Sequence, residues 1–202
     1  MKFKIPLFAA LLAAATQTFA AAGALPKNIL AQLPPGYEIL STAQGQLDDD
    51  KLNDFLVVIR RKNEEALARK AQAPARPLLI FTRKPDGSYQ LARRNDHVVL
   101  KIDEGGQCDP FEDGDDGLVI KDHYFTVQNS VACGQHWSWY VTFRYAPKLH
   151  DWVFHKAISE SWVMNPSNDP NADALIPGGG SVESGKGKPV LLFEKYRNAD
   201  ML

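Results

Sequence analysis

From Trp137 to Tyr145 the chain reads WSWYVTFRY, with its apolar residues on every second position. Trp137, Trp139, Val141, Phe143 and Tyr145 share one side of an extended strand, and Ser138, Tyr140, Thr142 and Arg144 share the other. Successive strand side chains point to opposite faces, so this period predicts a sheet with one face against a core. The rest of the chain follows suit. Asp54 to Ile59 (DFLVVI) and Pro77 to Arg83 (PLLIFTR) are short apolar runs of strand length, rich in branched residues. Pro85-Asp86-Gly87-Ser88 is a turn signal, and Tyr89 to Arg93 returns from it. Leu118 to Lys121 and Tyr124 to Gln128 form a hairpin pattern around Asp122-His123. His97 to Ile102, Trp152 to Ile158 and Pro189 to Tyr196 complete the expected strands, and Leu25 to Leu33 a short N-terminal helix. Strands spaced by about ten residues predict a mainly β, antiparallel fold, sandwich-like or partial-propeller-like.

The first residues concern destination rather than fold. Lys2 and Lys4 precede an apolar run from Ile5 to Ala15, and small residues follow at Ala20, Ala21 and Ala22. This layout predicts a secretory signal peptide over residues 1–20, cleaved after Ala20 or Ala22. The run is shorter than the roughly 20 residues that cross a bilayer, so no membrane span is expected after its removal. Without Lys2 and Lys4 the chain carries 21 basic against 24 acidic side chains. That balance argues against nucleic acid as a partner. What remains, residues 25–202, suits a single β-rich domain. Two polar segments are expected to be flexible: 61–75, as a mobile loop or short exposed helix, and 165–188, as a long loop.

Cys108 and Cys133 are the two cysteines, and in an exported chain they are expected to pair. A bond over such a loop contributes about 3–4 kcal/mol in the chain-entropy picture. The same cysteines with His136 and Asp109 have the residue types of a zinc site, but an oxidising compartment favours the disulfide.

Carboxylates gather in two places. Asp109, Glu112, Asp113, Asp115 and Asp116 follow Asp103 and Glu104 on a Gly-rich stretch, a candidate loop for a cation or a basic partner. Asp48, Asp50 and Asp54 recur at spacings of two and four in GQLDDDKLND, the alternation that a calcium loop uses. Gln46 stands where such a loop begins with an acid, and Lys51 where it needs the freedom of glycine. No Gly-rich phosphate loop or G-x-S-x-G elbow is present.

Gly45 to Val58 resembles the GDLNGDGxxDFxVV motif of FG-GAP/VCBS-type secreted domains, through Gly45, Leu47, Asp50, Asp54, Phe55 and Val57-Val58. Over roughly residues 37 to 158 the chain is similar to a group of bacterial secreted proteins. The matching parts are Arg76 to Phe81, Asp86 to Tyr89, Ala92 to Asp96, Gly105 to Glu112 and Trp137 to Tyr145. The resemblance implies a shared fold and an exported location, and no activity. The functional expectation is a non-enzymatic binding or interaction module in the periplasm of a Gram-negative bacterium, with a protein or envelope component as partner and no cofactor beyond calcium. One alternative is an inhibitor or immunity protein against an envelope-acting toxin, its acidic loops facing a basic cleft. The other is an envelope hydrolase using the loop carboxylates.

Overall fold

The computed structural model describes residues 25–114, 117–134 and 136–198. The expected signal peptide, Asp115 and Asp116 lie outside them. Two antiparallel sheets make up the fold. The first is a meander of β1 (Tyr37–Gly45), β2 (Asp54–Arg61), β3 (Leu78–Arg83) and β4 (Tyr89–Asn95). The second is a meander of β5 (Leu118–Lys121), β6 (Tyr124–Val131), β7 (His136–Ala146), β8 (Asp151–Met164) and β9 (Leu175–Ser184). The architecture is that of a β-sandwich, as the strand spacing predicts.

The inner faces of the sheets meet in one core. Leu56, Val58, Leu78 and Ile80 of the first sheet pack with Phe125, Val127, Val141, Phe143 and Ala157 of the second. The opposite face of the first sheet is covered too. Phe55, Val57, Ile59, Leu79 and Phe81 bury against Ile29 of helix α1 (Lys27–Leu30) and against Leu25, which precedes it. Burial on both faces explains why DFLVVI is a continuous apolar run without alternation. The β5–β6 turn places Asp122 and His123 both at positive φ (51° and 65°), as a two-residue hairpin requires. Where the sheets approach at their edges, a Cβ on Gly45 would lie 2.7 Å from Ile120, so only glycine fits there.

Three expectations are corrected. His97 to Ile102 is not a strand, although Val98 and Val99 are buried. Its backbone is held by side chains instead. Asn95 Oδ1 accepts the N–H groups of His97 and Val98, and Asn129 Oδ1 accepts that of Leu100. Pro189 to Tyr196 is not a strand either. It contains a 3₁₀ turn, Phe193–Lys195, and plugs the core with Phe193 and Tyr196, whose rings meet Phe125, Phe143 and Phe154 at centroid separations of 5.1–5.5 Å. The stretch 165–188, read as a loop, contains β9. An edge strand with glycines at its centre has no buried face, so it shows no alternation in sequence. Strand β1 runs on through Ser41 to Gly45. The segment 61–75 forms the short-helix alternative, α2 (Glu64–Ala68).

Candidate functional site

Two acids of the loop, Asp109 and Glu112, are bound by arginines. Arg76 is fully buried between β3 and α2. Its guanidinium donates from Nε and Nη2 to Glu64 at 2.8 Å, and from Nη1 and Nη2 to Asp109 at 2.7 and 2.5 Å. Burial alone would lower the Arg76 pKa, but the hydrogen bonds and charges of Asp109 and Glu64 outweigh it and raise it. Burial opposes ionisation of Asp109 as well. Arg76 and the N–H groups of Phe111 and Glu112 overcome that and hold its carboxyl below the ordinary range. Glu112 in turn accepts from Arg60 at 2.7 Å, and Arg60 also reaches Glu38 at 2.8 Å. Asp113 Oδ2 accepts the Asp109 N–H. Thus Asp109, Glu112 and Asp113, expected as a loop open to a partner, each hold part of their own fold together.

The disulfide Cys108–Cys133 is formed, with Cα atoms 6.2 Å apart. It fastens this loop to the segment entering β7, and the Ser130 N–H donating to the Pro110 carbonyl at 2.8 Å adds a second tie. With both thiols in the bond and Asp109 on Arg76, the zinc arrangement with His136 is not assembled.

The second cluster is assembled. One carboxylate oxygen each of Asp48, Asp50 and Asp54 lies within 4.8 Å of the others. Asp54 is buried, and its two oxygens accept the N–H groups of Leu47 (3.0 Å) and Arg83 (2.9 Å). Burial pushes its pKa up to about 6 against those two hydrogen bonds, helped by Asp48 and Asp50. Asp48 is raised as well, first by burial. Asp48 and Asp50 also accept backbone N–H groups, from Asp50 and Leu52. Lys51 sits at φ 63°, so the loop does adopt a glycine-like bend at the residue that replaces glycine. Gln46 donates to the Lys51 carbonyl at 3.3 Å, closing the turn. The all-oxygen donor set suits a hard cation such as calcium, and Asp48, Asp50 and Asp54 would hold it.

The aromatic strand divides. Val141 and Phe143 are in the core, Trp139 is half-buried and packs against it, and Trp137 is half-buried near the start of β7. Trp152 is buried, with its indole N–H on the Leu47 carbonyl at 2.8 Å. Trp162 is 36% exposed, near the end of β8. It pairs with His136, the first residue of β7, and among the described residues Val163 and Met164 pair with β9 only. They are 49% and 73% exposed.

Sequence reading missed the Arg76 network and the β8–β9 hairpin. Arg76 had one signal: a cation bracketed by Pro74 and Pro77 at the mouth of a buried strand. The hairpin had Trp162-Val163-Met164 beside a polar turn. No protein family, curated protein or solved structure matches the chain.

Proposed function

We propose that this chain is an exported, non-enzymatic binding module of the bacterial periplasm, and that the tip of the β8–β9 hairpin contacts its protein partner. One observation carries the reading: Trp162, Val163 and Met164 are three consecutive exposed apolar residues at the end of the β8–β9 ladder. Tryptophan and methionine are enriched in the centres of protein interfaces, where an apolar anchor enters a pocket. Two of the loop carboxylates that a hydrolase would draw on are engaged elsewhere, which favours the binding reading over that alternative. Asp109 and Glu112 are bound to arginines rather than directed at a substrate. An inhibitor or immunity protein would be one member of the class proposed.

The test is site-specific photo-crosslinking in cells. A photoreactive residue at Trp162 or Met164 should give a discrete adduct with a protein other than this chain. The same residue at Asp86, in the β3–β4 turn, should not. No adduct at the tip, or equal adducts at both places, would reject the tip as the contact surface. Osmotic-shock fractionation tests the compartment. The chain should be released with the periplasm, beginning at Ala21 or Gly23.

A further inference from the structure

Strand β9 is the outer edge of the five-stranded sheet and pairs only with β8 among the described residues. The Gly185 N–H donates to the His155 carbonyl at 2.8 Å, in register with the β8–β9 ladder. Antiparallel pairs alternate between bonded and non-bonded, so Gly179, Ser181 and Glu183 turn their backbone groups toward β8. The N–H and C=O groups of Gly180, Val182 and Ser184 therefore point away from the sheet. Exposed edges are usually blunted by proline, bulges or charge. In β9 the proline, Pro177, and the irregularity between Ser161 and Trp162 lie toward the tip. The edge from Gly180 to Ser184 has neither, and its one charge, Glu183, is held by Lys188 at 2.7 Å.

We propose that this edge pairs with the same edge of a second copy, antiparallel, about a two-fold axis at Val182. The axis follows from register. Outward-facing residues can bond only to outward-facing residues, which permits Val182 opposite Val182, with Gly180 opposite Ser184 on either side. Glu183 then lies opposite Ser181. The neighbouring register on one side sets Glu183 opposite its own copy, like charges face to face. The neighbouring register on the other side brings Gly178 and the bulge into the ladder. Side chains agree with the chosen register. Val182 is 71% exposed and ends a row with Ile158 and Tyr140 across β8 and β7. Pairing continues that apolar row into the second copy. Glu160, opposite Gly180, then shares a row with Lys156 of the second copy, opposite its Ser184. Charges of opposite sign thus flank the axis. This inference concerns the strand edge and stands apart from the role proposed for the hairpin tip.

Sedimentation velocity on the purified, exported chain tests it. The wild type should show a concentration-dependent dimer. Val182→Lys brings two ammonium groups together at the axis and should leave a monomer with unchanged circular dichroism. Ser181→Lys sets a cation opposite Glu183 and should tighten the dimer several-fold. A monomer at every soluble concentration overturns the proposal. So does a dimer indifferent to Val182→Lys, or one that Ser181→Lys weakens.

Discussion

Asp54 is a buried acid whose two oxygens already cap backbone N–H groups of Leu47 and Arg83. Those bonds favour the carboxylate. Burial and the neighbouring Asp48 and Asp50 favour the acid more, and its pKa rises to about 6 from 3.8. A group with a raised folded pKa holds its proton more tightly when folded. Its stabilisation is complete below about 3.8 and is lost as pH rises through about 6. A shift of about two units corresponds to roughly 3 kcal/mol. In a chelator-containing buffer, stability to urea should therefore fall from pH 4 to pH 6.5. Asp54→Asn, which cannot ionise, should flatten that limb. A limb that survives the substitution would assign the titration to another group. Calcium at neutral pH acts in the opposite sense if the three carboxylates hold it, because a dication favours their charged forms. The same melt repeated with calcium reads this directly.

At the scale of elements, the segment after β4 shows how a sequence that looks like a strand is recruited as something else. HVVLKI has the branched content of a strand, yet its backbone partners are side chains. Asn95 is buried and uses its whole amide. Oδ1 accepts from His97 and Val98, and Nδ2 donates to the carbonyls of Phe193 and Tyr196. One residue thus fixes both the loop and the C-terminal plug. Asn95→Ala should cost about 2–3 kcal/mol, since it leaves several buried backbone groups unpaired. Asn95→Asp separates the two roles. It keeps acceptors for the His97 and Val98 N–H groups but faces the two carbonyls with oxygen. Hydrogen exchange should then quicken around residues 193–196 while His97 and Val98 stay protected. Equal exchange at both places would deny the division of roles. Such contacts explain what sequence could reveal. The runs at Asp54, Leu78 and Trp137 were legible because period and burial act within a few residues. The turn at Asp48 to Asp54 was legible as a cluster because its ligand spacing is local. The fates of His97 to Ile102 and Phe193 to Tyr196 depend on Asn95, Asn129 and a core distant in sequence. Arg76 and Asp109 are 33 residues apart, so the loop's acids looked free until the fold brought the cation to them.

Across the whole molecule, the loop from Asp103 to Gly117 is joined to both sheets, and its ties reinforce one another. Cys108–Cys133 fastens it beside the second sheet. Next to Cys108, Asp109 reaches the buried Arg76 at the mouth of the first. Ordering the loop by one tie reduces the conformational entropy the other must overcome, so the two should not be independent. Replacing both cysteines by serine should cost about 3–4 kcal/mol. Asp109→Asn keeps the shape but removes the charge facing Arg76, and should cost about 2–3 kcal/mol. The depressed Asp109 pKa gives that variant a signature. Its stabilising contribution is present above about 3.8 and lost as pH falls through the lower folded value, so the loss of stability caused by Asp109→Asn should shrink steadily as pH falls below about 3.8. The combined variant, measured by urea unfolding at neutral pH, should lose about 1 kcal/mol less than the separate losses together, because a loop released from the disulfide no longer delivers Asp109 to Arg76. Additive losses would mean that the ion pair positions itself without the bond. The loop would then be held by two independent fastenings rather than one cooperative clamp.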